Sequence, residues 1–184
     1  DVVIGVPDSG LCAAMGFAQE SGIPYSIGFV KNKYIGRTFI QPTQAMRENA
    51  VMIKLNVLKS AVAGKRVVMV DDSVVRGTTS KRIVHLLRKC GATEVHVRSS
   101  APPFQYPCFF GTDVPSQDQL IACRYHNDMD AISKAIGADS IGFLSVEALK
   151  KIIPNANCQY CDGCFSGKYP VDVNVKFEKE DSDD

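Results

Sequence analysis

Apolar residues in this chain of 184 residues fall into short continuous runs separated by stretches of helical spacing. Val67-Val-Met-Val70 has the length and β-branched character of a buried parallel strand. It runs into Asp71-Asp-Ser73 and then Arg76-Gly-Thr-Thr79, after which Ile83, Leu86, Leu87 and Cys90 recur at helical spacing, with Thr78, Thr79 or Ser80 as the expected N-cap. The same order occurs at the start. Residues 2–6 read as a strand, Pro7-Asp-Ser-Gly10 as a turn, and Ala13, Ala14, Phe17 and Ala18 as one side of a helix. The pattern predicts a further strand over 25–30 and a helix over 43–60 carrying Met46, Ala50, Ile53 and Val57 on one stripe. Beyond Gly64, strands are expected over 95–98 and 140–144, and helices over 117–122, 129–136 and 146–152. Strand and helix alternating at this spacing predict an α/β fold, a central mainly parallel sheet flanked by helices.

Composition narrows the picture modestly. An apolar content of 45% supports one substantial core with a small appendage, and a net charge of +1 argues against a nucleic-acid partner or a membrane-surface role. No apolar run reaches transmembrane length and no secretory signal is visible, so the expected location is cytoplasmic. The opening Asp1-Val-Val-Ile lies inside an expected strand, which suggests a processed or excised piece with something upstream missing. Three of the seven cysteines are compressed into Cys158-Gln-Tyr-Cys-Asp-Gly-Cys164, a spacing that reads as metal or iron–sulfur ligation before it reads as a disulfide scaffold. Cys12, Cys90 and Cys123 read as small buried hydrophobes. The end of the chain, 178–184, is an acidic tail with nothing to bury.

The chemistry concentrates where strands meet helices. A strand that ends in a polar turn at a helix N-terminus presents backbone N–H groups to an anion, and an acidic pair one step away suits a ligand carrying a phosphate with hydroxyls or Mg²⁺. Gly5 and Gly10 have the spacing of a nucleotide-triphosphatase loop, but Leu11-Cys12 stands where Lys-Ser/Thr is required, which excludes that reading.

The run from Val67 to Thr79 resembles the phosphoribosyl-pyrophosphate (PRPP) motif of the type I phosphoribosyltransferases. The resemblance implies that fold, with Asp71 and Asp72 facing the ribose hydroxyls and Mg²⁺, and Ser73, Arg76, Gly77, Thr78 and Thr79 holding the 5′-phosphate. It also implies that Pro7, Asp8, Ser9 and Gly10 bind the pyrophosphate part of the donor, with Ser9 approaching the metal. Lys31-Asn-Lys-Tyr-Ile-Gly-Arg-Thr-Phe-Ile-Gln-Pro42 interleaves cations, aromatics and glycine with no regular period. It is similar to the mobile active-site loop of one branch, the glutamine PRPP amidotransferases, with Lys31, Tyr34 and Arg37 as the catalytic contacts of the lid; Lys54 is a solvent-facing residue that the closed lid can meet.

Cys161-Asp-Gly-Cys-Phe-Ser-Gly-Lys-Tyr-Pro170 resembles the cluster motif of the iron–sulfur class of that branch. By this resemblance Cys108, Cys161 and Cys164 are ligands of a [4Fe-4S] cluster, the remaining family ligand lying upstream; Cys158 is an alternative fourth thiolate and Zn²⁺ the rival metal. The implied organisation is a phosphoribosyltransferase domain over 1–153, an iron–sulfur ligand segment over 154–173 and a disordered tail over 174–184. The implied reaction is displacement of pyrophosphate from C1 of PRPP by ammonia, giving 5-phosphoribosylamine for purine synthesis. Family members form homo-oligomers, are inhibited by purine nucleotides and carry an N-terminal glutaminase domain with no counterpart in these residues, so glutamine is not expected to serve as donor. A purine-salvage phosphoribosyltransferase and a non-catalytic PRPP or nucleotide sensor are the alternatives.

Overall fold

The computed structural model describes residues 1–31, 55–114, 116–152 and 160–172. Four strands form a parallel sheet in the order β1 (Val2–Gly5), β4 (Arg66–Asp71), β5 (Glu94–Ser99), β6 (Ser140–Phe143). Val2 faces Val67 and Gly5 faces Val70 across the first ladder, while Val67 faces Val95 and Asp71 faces Ser99 across the second. A single parallel bridge from Val3 to Tyr25 flanks the outer side of β1.

Burial on both faces explains the unbroken apolar run of β4. Val67 and Met69 point into the main core, with Val2, Ile4, Val95, Val97 and Ile141 beside them. Over that core lie α3 (Thr78–Lys89), through Ile83, Val84 and Leu87, and α5 (Met129–Ile136), through Ile132 and Ile136. Val68 and Val70 point the other way, toward Ala14, Ala18 and Phe17 of α1 (Gly10–Ser21). The expected α/β architecture with a parallel sheet between helices is therefore present, and strands expected over 2–6, 67–70 and 95–98 lie within one or two residues of those seen. Asp128 accepts hydrogen bonds from the Asp130 and Ala131 N–H groups at 2.9 and 3.1 Å, and Gly137 ends α5 with φ 78°, so its expected bounds hold at both ends.

Several expected elements differ. The helix expected over 43–60 does not cover the last of those residues, because Leu55–Val57 is a strand, β3, paired antiparallel with β2 (Phe29–Lys31). Leu55 and Val57 both pack against the main core while Asn56 is exposed, a period of two that overrides the helical stripe. A short helix, α2 (Lys59–Val62), follows; 43–54, including Lys54, lies outside the described residues. The strand over 25–30 is reduced to the Tyr25 bridge and β2; between them Gly28 passes so close to Ile4 that a Cβ would stand 2.7 Å from two of its side-chain carbons. The helix over 117–122 breaks at Leu120 into a 3₁₀ turn, Gln117–Gln119, and α4 (Ile121–Arg124). Gly77, not a hydroxyl residue, caps α3. Beyond β6 lie α6 (Val146–Lys151), whose cap is the Ser145 hydroxyl, and α7 (Gly163–Ser166). Cys12 is exposed and so is not the buried hydrophobe expected; Cys90 and Cys123 are partly buried against apolar clusters.

Candidate active site at the ends of β1 and β4

The chain leaves β1 toward one side of the sheet and returns through β4 to build the other side, so the carboxyl ends of these neighbours flank a switch of direction. In open parallel sheets such a crevice takes the ligand, because helices diverge from it and leave backbone N–H groups facing outward. Both predicted loops start here. The Val6 N–H donates to the Val70 carbonyl at 2.9 Å, carrying the β1–β4 ladder one step into the first loop. Gly10 then passes so close to β4 that a Cβ on it would stand 2.7 Å from the Val70 oxygen and 3.3 Å from Asp71 Cα. The peptide between Pro7 and Asp8 is cis.

Side chains join the loops. Ser9 Oγ donates to Asp72 Oδ2 at 2.8 Å, across 63 residues of sequence, and Ser73 Oγ donates to the other oxygen at 3.2 Å. Lys31, at the end of β2, forms an ion pair with Asp8 and so brings the start of the predicted lid to the first loop. Tyr34 and Arg37 lie outside the described residues.

The two carboxylates are not equivalent. Asp71 is two residues beyond Met69 and shares its orientation into the core, leaving it 7% exposed, whereas Asp72 is exposed. Burial, reinforced by the neighbouring Asp72 charge, pushes Asp71 up to about 7, against the pull of the Asp72 N–H that donates to its Oδ1 at 2.9 Å. A divalent cation relieves such crowding, and Mg²⁺ is commonly held by one or two carboxylates together with substrate oxygens, so this hard-oxygen set fits it.

Ser73 to Thr79 form the turn into α3. Gly77 has φ 77°, and a Cβ there would stand 2.3 Å from Ile121 Cδ1, so the turn is built against α4. Thr78 and Thr79 are exposed in the first turn of α3, where helix N–H groups have no internal partner. Arg76 Nε donates to Gln119 Oε1 at 3.2 Å. Ser100 was not anticipated: its N–H donates to the Asp71 carbonyl at 2.9 Å and its Oγ to the Asp72 carbonyl at 3.3 Å. The signal available for it was the polar pair Ser99-Ser100 at the end of a strand adjacent to β4. For Gln119 the sequence offered none.

Cys108, Cys123 and Cys164 gather elsewhere, around Phe104, Val114, Leu120 and Phe165. Of the expected ligands Cys108 and Cys164 pack against this cluster, and Cys161, three residues before Cys164, is exposed. The Phe110 N–H donates to Cys108 Sγ at 3.4 Å and holds that thiol below its ordinary value. Burial, followed by the charges of Cys108 and Cys161, pushes Cys164 up to about 11. Among the described residues, however, no group of three or more candidate ligands is arranged around one metal position, and Cys158 lies outside them. Among the described residues, too, no helix is long and apolar enough to cross a membrane.

The sheet, its switch point and the paired loops define a phosphoribosyltransferase: residues 1–101 match the phosphoribosyl transferase domain model, and the chain belongs to that family. Within it, the chain is 54% identical over 177 residues to the amidophosphoribosyltransferase of Bacillus subtilis, covering 94% of the chain and 37% of that relative. The amidophosphoribosyltransferase of Methanocaldococcus jannaschii is 53% identical over 179 residues, covering 97% of the chain and 37% of that relative. A solved structure described as that of the allosteric regulatory enzyme of purine biosynthesis superposes with TM-score 0.80 at 53% identity, covering 96% of this chain and 38% of the other. The glutamine PRPP amidotransferase of B. subtilis, solved in complex with ADP and GMP, gives 0.79 at 52% identity, covering 96% of this chain and 39% of that one. The chain thus spans little more than a third of the length of these relatives.

Proposed function

We propose that this chain is the PRPP-using part of an amidophosphoribosyltransferase, in which ammonia displaces pyrophosphate from C1 of PRPP to give 5-phosphoribosylamine, the opening step of purine synthesis. The observation that carries the reading is the Ser9–Asp72 hydrogen bond of 2.8 Å, which joins the first loop to the acidic pair across one crevice and so supports assigning the first to pyrophosphate and the second to ribose. The ammonia lone pair forms the new C–N bond as the C1–O bond breaks and its electrons leave with pyrophosphate; the surplus proton goes to solvent. Little acid–base chemistry is required, so catalysis rests on positioning and on electrostatic support of a cationic C1 and an anionic leaving group. Mg²⁺, when bound, supplies charge neutralisation for the pyrophosphate oxygens, with Asp71, Asp72 and Ser9 as the groups that would hold it.

In this reading Pro7, Asp8, Ser9 and Gly10 cradle the pyrophosphate, Asp71 and Asp72 orient the ribose hydroxyls, and Ser73 with Arg76 to Thr79 takes the 5′-phosphate. The contacts assigned to the lid are Tyr34, Arg37 and Lys31, which is paired with Asp8 and exchanges it for the incoming polyanion. The organisation retained is a transferase domain over 1–153, a ligand segment over 154–173 and an acidic tail over 174–184. Purine nucleotides compete at or near the same crevice, a reading supported by the ADP and GMP bound to the B. subtilis relative. Homo-oligomers and a cytoplasmic location belong to the same proposal, as does glutamine hydrolysis by a further domain.

Pyrophosphate release from PRPP and Mg²⁺ tests the activity, comparing ammonium, glutamine and a panel of purine and pyrimidine bases. Turnover with ammonium and none with glutamine is expected; turnover with a base moves the chain to salvage, and tight PRPP binding without turnover moves it to sensing. The cluster proposal rests on the packing of Cys108 and Cys164 against one apolar cluster and on the Cys161-Asp-Gly-Cys164 spacing, with the fourth ligand coming from upstream or from Cys158. Anaerobically purified protein is expected to contain iron and acid-labile sulfide in equal amounts; zinc without sulfide would replace the cluster by a structural zinc site.

A further inference from the structure

We propose that Gln119 is a positioning residue for the phosphate turn, holding the Arg76 guanidinium by its Nε so that the two terminal nitrogens are presented to a sugar phosphate. The inference rests on the reading of residues 73–79 as the 5′-phosphate site. Arg76 is exposed at the outer side of that turn, and an exposed arginine ordinarily samples many rotamers, each of which must be given up when an anion binds. Here Gln119 Oε1 takes the Nε hydrogen at 3.2 Å, and among the described residues the guanidinium makes no other hydrogen bond. Tying Nε restrains the plane of a rigid five-donor fork and leaves its paired Nη edge, which can span two phosphate oxygens, for a ligand.

Gln119 is itself held in place. The Ile121 N–H donates to the Val75 carbonyl at 2.9 Å, so the segment carrying Gln119 is stitched to the residue before Arg76. Ile121 also fills the space a side chain at Gly77 would need, its Cδ1 being 2.3 Å from that Cβ position. Leu120, between them, is fully buried. On the far side Gln117 Nε2 donates to the Gln105 carbonyl at 2.8 Å, and the Gln105 N–H donates to the Cys164 carbonyl at 2.9 Å. The buttress under Arg76 is therefore anchored at both ends, to the turn it serves and to the cysteine segment.

The test is calorimetric binding of ribose 5-phosphate to the chain, with magnesium pyrophosphate, assigned to the first loop, as the reference ligand. Gln119→Leu, near in size but without the acceptor, is expected to weaken ribose 5-phosphate about 5- to 10-fold, the loss of one preorganised charged contact, and to leave pyrophosphate binding unchanged. Gln119→Asn, whose amide is too short to reach, gives the same result in a side chain that preserves polarity. In an Arg76→Ala chain, already weakened, adding Gln119→Leu is expected to cost nothing more, because Gln119 acts only through Arg76. Equal ribose 5-phosphate affinity in the wild type and the Gln119 variants overturns the proposal while leaving the phosphate turn standing. Parallel loss of both ligands, or additive losses in the double variant, also overturns it by showing a general structural role. Absence of ribose 5-phosphate binding to the wild type overturns both this proposal and the reading of the turn.

Discussion

Replacing Asp71 with asparagine is expected to make the protein more stable above neutral pH and to cut its use of PRPP sharply. Asp71 lies at the buried end of β4 with its carboxyl value raised from the usual range to about 7, first by burial and then by the Asp72 charge. In the unfolded chain the same group ionises near about 4, so between about pH 4 and 7 the folded state binds more protons than the unfolded state. Its contribution to stability is therefore complete below that window and lost as pH rises through it. The asparagine side chain keeps the shape and can still accept the Asp72 N–H, but it carries no charge to bury. The expected gain is about 1–3 kcal/mol at about pH 8, or roughly 3–9 °C in melting temperature, fading to nothing near pH 4. Pyrophosphate release from PRPP falls by about 10²- to 10³-fold, the usual loss when a preorganised charge facing the reacting sugar is removed. Melting temperatures of both forms across pH, with turnover measured alongside, decide the matter. A pH-independent difference would mean that Asp71 is not ionising in this window, and unchanged turnover would remove it from the site.

The acidic pair was legible in the sequence while its asymmetry was not. Asp-Asp after an apolar run is a local pattern and can be found by reading along the chain. That Asp71 continues the inward row of Val67 and Met69 also follows from a strand period of two, but it requires knowing that the strand persists through Asp71 instead of ending at Val70. The same distinction runs through the fold. Strands β1, β4 and β5 are buried on both faces or alternate strictly, and α5 has its cap residues on either side in sequence, so local information sufficed. Val57 fits the helical stripe of Met46, Ala50 and Ile53, which hides β3 in the sequence; its strand character comes from β2, a partner more than twenty residues away. Gln119 reaches Arg76 across 43 residues, and no local pattern marks a glutamine as a buttress. Of the site, the loops were readable and the contacts that fix their relative position were not.

Gly10 tests that relative position most directly. It opens α1, and its backbone rests on the central strand, where an added Cβ would meet the Val70 oxygen at 2.7 Å and Asp71 Cα at 3.3 Å. Both are backbone atoms of a strand locked by ladders on either side, so β4 cannot give way and the first loop must move. Gly10→Ala is accordingly expected to destabilise the protein by about 1–2 kcal/mol, since overpacking outweighs the helix-propensity gain, lowering the melting temperature by roughly 2–6 °C. The effect on PRPP turnover is expected to be larger, about 100-fold, because shifting the loop separates Ser9 from Asp72 and misplaces the pyrophosphate relative to the ribose. Gly16→Ala in the same helix supplies the comparison: a Cβ there meets nothing within 4 Å, so it is expected to leave turnover intact and to stabilise the helix slightly. If the two variants behave alike, the close approach of the first loop to β4 is not what holds the halves of the crevice together. If Gly10→Ala loses turnover far out of proportion to its loss of stability, the spacing between the two loops is the property on which the site depends.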